Sequence, residues 1–323
     1  MNKEFDIIRR YFKKTVSNAI LGIGDDAALI VPSSKTELAI SMDTLVSGKH
    51  FFADTDPYKL GYKSLAVNLS DMAAMGAKPR WAMLSLTLPK ILAEQNEVWL
   101  GDFSQGFFEL AQTYQIELIG GDTTSGPLSI CVQIIGEVAK GDALRRSGAL
   151  VGDDIWVSGC LGDAALALCH EKQQMVLESD EIDYCLSALH MPTARIVLGQ
   201  KLIGLAHSAI DISDGLMADL GHILSASNKA ATIDLVLIPC SSVMQRVIQR
   251  PFALDCLLSG GDDYELCFTA SKSKHKAIEV LSEELSLPLT CIGEIIQGEG
   301  LIVKDADGNE ISMEKTGYDH FRS

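Results

Sequence analysis

Apolar residues recur along the chain at two spacings, and the switches between them mark out short helices and strands. In residues 4–14, Ile7, Ile8, Tyr11 and Phe12 stand at helical spacing and predict a short amphipathic helix. Residues 27–31 and 38–42 are compact apolar runs between turn residues and read as strands. Asp56-Pro57 then opens a helix, with Leu65, Leu69 and Met72 along one stripe and Gly76 at its close. Residues 82–88 are strand-like. Residues 94–114 form a long helical segment with Val98, Phe103, Phe107 and Leu110 inward. Strands over 116–119 and 128–138 flank the turn Gly120-Gly121-Asp122-Thr123-Thr124.

The second half restarts the pattern. A strand over 155–158 leads through a glycine turn into a helix over 164–170, and 171–181 reads as a charged surface connection. Helical patterns follow over 192–206, from Leu216 through Leu220 and Ile223, and over 274–285. Strands are expected at 208–212, 233–238, 264–269 and 291–296. The polar, glycine-containing stretch 148–154 marks a boundary, giving domains of 1–148 and 149–323. Two domains also suit 323 residues, a length beyond one ordinary core. The class is α/β of the α+β type, with mixed sheets and helices.

Charge narrows the function. With 27 Lys+Arg against 43 Asp+Glu, the net charge is -16, the wrong sign for an electrostatic nucleic-acid binder. Arg9-Arg10 and Arg145-Arg146 are isolated basic pairs rather than a patch. No apolar run is long enough to span a bilayer, so no membrane role is expected. The eight cysteines lack CxxC pairing and mostly lie in apolar runs, as buried free thiols of a reducing, cytoplasmic protein do.

The acids themselves carry the candidate chemistry. Gly22-x-Gly24-x-x-Ala27 resembles a dinucleotide fingerprint, but Asp25 and Asp26 would repel a pyrophosphate, and Pro32 interrupts any long helix. Aspartates recur at the ends of apolar elements: Asp25-Asp26, Asp43, Asp71, Asp122, Asp211/Asp214 and Asp262-Asp263. Each alone has an ordinary explanation as a turn or cap residue. Gathered together, carboxylates about 4 Å apart repel by about 4 kcal/mol at an effective dielectric near 20, so a shared cleft needs cations. Magnesium suits hard oxygen ligands and phosphate substrates, whereas the seven scattered histidines and the unpaired cysteines, without HExxH or paired Cys/His spacing, argue against a zinc site. Asp71 stands in the last turn of its helix, where the dipole disfavours a negative charge, and calls for a compensating partner. Walker, kinase HRD/DFG and GxSxG motifs are missing.

These motifs, with Ser41-Met42-Asp43-Thr44, Asn68-Leu69-Ser70-Asp71-Met72, Arg146-Ser147-Gly148, Asp211-Ile212-Ser213-Asp214-Gly215 and Gly317-Tyr318-Asp319-His320-Phe321, resemble the bacterial thiamine-monophosphate kinases. The likeness runs in order from near residue 20 to the C-terminus. It implies ATP-dependent phosphorylation of thiamine monophosphate to thiamine diphosphate. It also implies the two-domain fold of aminoimidazole ribonucleotide synthetase, whose N-terminal strands form a barrel between two subunits of a homodimer. Carried over by motif, Asp26, Ser41, Met42, Asp43, Asp71, Asp122, Asp211 and Asp214 hold magnesium. Tyr114, Gly121, Asp122, Arg146 and Ser213 bind ATP, and His50, Asp262 and Tyr318 contact thiamine monophosphate. Met42 stands where the family often has threonine, so a ligand there is the backbone carbonyl. Asp262 stands where glutamate is common, which shortens its reach. Competing readings are another ATP-dependent synthase of the superfamily, or a non-catalytic magnesium–nucleotide-binding module.

Overall fold

The computed structural model describes residues 3–95, 97–311 and 317. Lys3–Ile7 (α1) runs into a π-helical turn, Ile8–Phe12, so the predicted first helix is present but widens halfway. Ala19–Leu21 (β1) pairs antiparallel with Leu29–Ile30 (β2). No helix follows the Gly22–Asp26 turn, as the argument against a dinucleotide loop required.

Thr36–Val46 (β3), Pro57–Ala74 (α2), Lys78–Leu88 (β4), Lys90–Gln95 (α3), Glu97–Thr113 (α4), Glu117–Ser125 (β5) and Ser129–Ala139 (β6) complete the first region. Their strands form a sheet in the order β3-β6-β4-β5, antiparallel except for the β4–β5 pair. Alternation on β3 buries Ala39 and Leu45 and leaves Leu38, Ile40 and Met42 exposed on the opposite face. Helix α2 lies over the buried face, its Met72 against Gly136 of β6. The other face carries the β1–β2 hairpin, with Val16, Ala19, Ala28 and Ile30 packed on Trp81, Ile119 and Ile135. Glu117 docks this hairpin by accepting the N–H groups of Ser17, Asn18 and Ala19. Burial acts to raise the Glu117 pKa, but these donors overcome it and hold the carboxyl below its ordinary value. Phe103, Phe107 and Leu110 are buried as expected; Val98 is 71% exposed, because at the first turn of α4 it lies on the solvent side of that stripe.

The second region comprises Asp153–Ser158 (β7), Asp163–Glu171 (α5), Ser179–His190 (α6), Ile196–Leu202 (α7), Ser208–Ile212 (β8), Leu216–Ser227 (α8), Ala230–Asp234 (β9), Ser242–Val247 (α9), Pro251–Ser259 (α10), Glu265–Ser271 (β10), His275–Leu285 (α11), Leu289–Ile296 (β11), Gly300–Lys304 (β12) and Glu310–Ile311 (β13). The sheet runs β13-β12-β9-β11-β7-β10-β8, and only β9–β12 is parallel. Ile155, Val157, Ile210, Ile212 and Cys267 belong to its core, with helical residues such as Leu166 and Leu220.

Three expectations are corrected. Residues 179–190 form helix α6, started by a capping box between Glu178 and Glu181, where a surface connection was expected to reach 181. The strand expected over 233–238 ends at Asp234, and Leu235–Leu237 is a 3-10 turn. The helix expected over 192–206 is confined to Ile196–Leu202.

Contact density separates two units, Met1–Met72 with Ala77–Gly141, and Ala73–Gly76 with Asp142–Ser323. Each has its own mixed sheet and helices, so the two-part α/β architecture is as expected.

Candidate active site

In the first unit the acids are placed by strand register. Asp43, Val132, Leu84 and Gly121 lie on one row across β3, β6, β4 and β5, with three strand spacings, about 14 Å, from end to end. The next row joins Thr44, Cys131, Ser85 and Asp122. Asp43 therefore shares the helix-covered face with Val132 and Leu84, and Asp122 belongs to the hairpin-covered face. This arrangement depends on Ile119, an extra residue in β5: Ala82 pairs with Leu118 but Met83 pairs with Gly120. Gly120-Gly121-Asp122-Thr123-Thr124, expected as a turn, is thus the continuation of β5.

Asp71 is met by strand β3. The Ser41 hydroxyl donates to Asp71 Oδ2 at 2.5 Å, supplying the partner expected for a carboxylate in the last turn of α2. Ser41 and Asp43 share one side of the pleat, whereas the Met42 side chain is exposed on the other, consistent with Met42 offering only its backbone.

Asp26 and Asp122 line a cleft of about 640 Å³ with Asp25, Gly121, Thr123, Arg9 and Lys13. Gly121 has φ +141°, and a Cβ there would sit 1.8 Å from the Leu84 carbonyl, so only glycine fits this edge. Beyond β3, His50 Nδ1 accepts the Val46 N–H at 3.0 Å. Tyr114 follows α4, half-buried beside Tyr62.

In the second unit, β8 delivers Asp211, which is buried, into the turn Ser213-Asp214-Gly215 before α8. Asp219 organises this turn. Its Oδ2 accepts the N–H groups of Ser213, Asp214 and Gly215 at 3.0, 3.0 and 3.1 Å. Burial lifts the Asp219 pKa to about 6, with the nearby Asp214 charge adding to it and the three donors opposing. Asp219 was not singled out in the sequence; the available signal was an acid in the first turn of a helix after a strand and an Asp-Gly turn.

The 259–264 loop is stitched to the same turn. Asp262 N–H donates to the Ser213 carbonyl at 2.9 Å and Tyr264 N–H to the Ile212 carbonyl at 2.8 Å. Asp262 and Tyr264 have φ +71° and +51°, both left-handed, and the Tyr264 hydroxyl donates to Asp262 Oδ1 at 3.0 Å. Asp263 turns inward to accept the Gly162 N–H at both oxygens, and burial, together with Asp163 and Glu265, pushes its pKa up. Glu265 is held by Ser158 and by Arg195 through two nitrogens. Arg146 is exposed on the segment whose Arg145 carbonyl accepts the Ala209 N–H of β8. Gly317 packs on Ala218 and the Asp214 carbonyl, and Tyr318 lies outside the described residues.

The predicted residues therefore form local groups: Ser41 with Asp71, Asp26 with Gly121 and Asp122, and Ser213 with Asp214, Asp262 and the buried end of β8. All donors assigned to metal are oxygens. With Asp219 engaging its amides, the Ser213–Gly215 turn offers side chains to a ligand rather than a bare N–H cradle.

Residues 24–138 match AIR synthase related protein, N-terminal domain, and residues 151–306 match AIR synthase related protein, C-terminal domain. The chain is 48% identical to the thiamine-monophosphate kinase of Escherichia coli (strain K12) over 98% of both sequences. The crystal structure of thiamine-monophosphate kinase from Stenotrophomonas maltophilia K279a superposes with a TM-score of 0.84 and 47% identity, covering 95% of this chain and 96% of that one. AaThiL complexed with AMPPCP and TMP superposes with a TM-score of 0.78 and 30% identity, covering 98% and 96%. On likeness that spans nearly its whole length, the chain belongs to the thiamine-monophosphate kinase family of AIR synthase related proteins.

Proposed function

We propose that this protein transfers the γ-phosphoryl group of ATP to thiamine monophosphate, giving thiamine diphosphate and ADP. The observation that carries the reading is near-full-length identity of 48% to a thiamine-monophosphate kinase, supported by likeness to AaThiL complexed with AMPPCP and TMP.

The donor set fits magnesium. Asp26, Ser41, Asp43, Asp71, Asp122, Asp211 and Asp214, with the Met42 carbonyl, are hard oxygen donors, and the exposed Asp26 and Asp122 share one cleft. Magnesium bound by these residues supplies neutralisation of the phosphate charge. The acceptor is already an anionic phosphate, so no residue has to serve as a strong general base. The protein's task is to position: Gly121 allows close approach at the β5 edge, Arg146 and Ser213 hold ATP with Tyr114 near its base, and His50, Asp262 and Tyr318 hold the acceptor. In-line transfer then requires no phosphoenzyme.

Assembly is part of the reading. β3 is a sheet edge of eleven residues with Leu38, Ile40 and Met42 exposed, a surface suited to a second copy in a homodimer whose N-terminal strands close a barrel. Among the described residues, no helix is long and apolar enough to cross a membrane. A cytoplasmic location belongs to the same proposal.

The test is a coupled assay of ADP release with purified protein, ATP and magnesium. Thiamine monophosphate should trigger release, while thiamine and aminoimidazole ribonucleotide precursors should not. ADP release with a precursor alone would assign the chain to a synthase, and none with any acceptor would leave a binding module.

A further inference from the structure

Three side chains with no part in the proposed transfer meet on one face of the second unit's sheet, over the inner strands β7 and β11. Asp154 comes from β7 and is buried, Cys291 from β11 and His275 from the first residue of α11. Cys291 lies opposite Trp156, two residues from Asp154 on the same face of the sheet, and the His275 ring rests edge-on against Trp156 at 4.6 Å. Candidate ligand atoms of Asp154, His275 and Cys291 all lie within 4.8 Å of one another, with His275 Nδ1 2.8 Å from Asp154 Oδ2.

We propose that Asp154, His275 and Cys291 bind a borderline divalent transition-metal ion of the Zn2+ type, with water completing the tetrahedron. Ligands about 2.0–2.3 Å from zinc lie about 3.3–3.8 Å from each other, so the cluster needs only a sub-ångström to ångström adjustment of side chains. Carboxylate, imidazole and thiolate together select such an ion over magnesium, which takes oxygen. The second ring nitrogen is also provided for: His275 Nε2 faces Glu279 Oε1 at 3.7 Å, one helical turn on, the carboxylate–histidine pairing that orients a ligating imidazole. Trp156 walls one side of the ring, and the histidine is part-exposed, leaving an entry path. On binding, the Cys291 thiol releases its proton to solvent. The hydrogen that His275 Nδ1 turns to Asp154 also leaves by way of solvent, so that the ring coordinates through Nδ1 and keeps a hydrogen on Nε2 toward Glu279. The ion would pin the start of α11 to β7 and β11.

The experiment titrates Co2+ into the metal-stripped full chain under excess magnesium, which fills oxygen-only sites. A thiolate-to-cobalt charge-transfer band with tetrahedral ligand-field bands should saturate at about one ion per chain and be displaced by Zn2+. Cys291→Ser should abolish the band, and Glu279→Gln should weaken binding by about 10-fold or more. His275→Gln, a surface-side change, gives a second variant that should also lose the band. Absence of the band in the wild type, or its persistence in Cys291→Ser or His275→Gln, overturns the proposal. The kinase assay is read separately on the same Cys291→Ser protein, which should retain turnover because the site uses none of the residues assigned to ATP or thiamine monophosphate.

Discussion

The Ser41 hydroxyl reaches Asp71 Oδ2 at 2.5 Å, joining the long edge strand of the first sheet to the last turn of the helix that covers it. The donor does what the helix dipole cannot, stabilising a carboxylate at a C-terminal turn.

Asp71→Asn should therefore separate chemistry from folding. The amide oxygen still accepts from Ser41, so the melting temperature should stay close to wild type. Turnover should fall by about 100-fold or more as a charged donor is lost. Steady-state kinetics beside thermal unfolding checks both, and near-normal turnover would remove Asp71 from the metal set.

Asp219 predicts a pH signature. Its folded pKa of about 6 lies above the ordinary carboxyl value of 3.8, so the folded state holds this proton more tightly than the unfolded chain. The resulting stabilisation is complete below the unfolded value and is lost as pH rises through about 6, an upper bound of about 3 kcal/mol. Asp219→Asn, which can still accept the three N–H groups, should flatten the fall in stability between pH 4 and pH 6. Denaturant titrations across that range measure it.

Arg195→Met should be severely destabilising, by about 3–5 kcal/mol, because the buried Glu265 would lose its two-nitrogen partner. The double variant Arg195→Met with Glu265→Gln should recover part of that loss. Urea unfolding of the two variants tests whether the pair behaves as a buried ion pair.

Ile40→Lys bears on assembly. The residue is exposed on the outer face of β3, so the isolated subunit should keep its fold while the proposed homodimer dissociates. Light scattering coupled to size exclusion, with circular dichroism on the same sample, reads mass and fold together. A wild-type monomer would dismiss the homodimer outright.

Much of this was legible in the residues. Asp56-Pro57 and Gly76 bracketed α2 closely because start and stop signals are local, and Ser208–Ile212 was read to the residue. Helix α6 has Ile182, Cys185, Leu186 and Leu189 at helical spacing, but its first turn is acidic and continues the charged stretch 171–181, so its start does not stand out in the sequence. At the site, the acids were visible as a set, but their pairing was not. Ser41 meets Asp71 across thirty positions of sequence, and Asp219 acts through backbone amides that leave no side-chain pattern to read. The face on which Asp122 emerges depends on one bulged residue, which hydrophobic alternation does not reveal.

That bulge fixes the phase of everything after it. Drawing Ile119 into a regular ladder opposite Met83 would slide the rest of β5 by one step and exchange its two faces, driving Asp122 under the helix layer with its charge. Substitutions along Gly120–Thr124 change one side chain at a time, but an insertion or deletion there reverses every residue beyond it. The length of this segment, more than any single residue in it, is what the active cleft cannot relinquish.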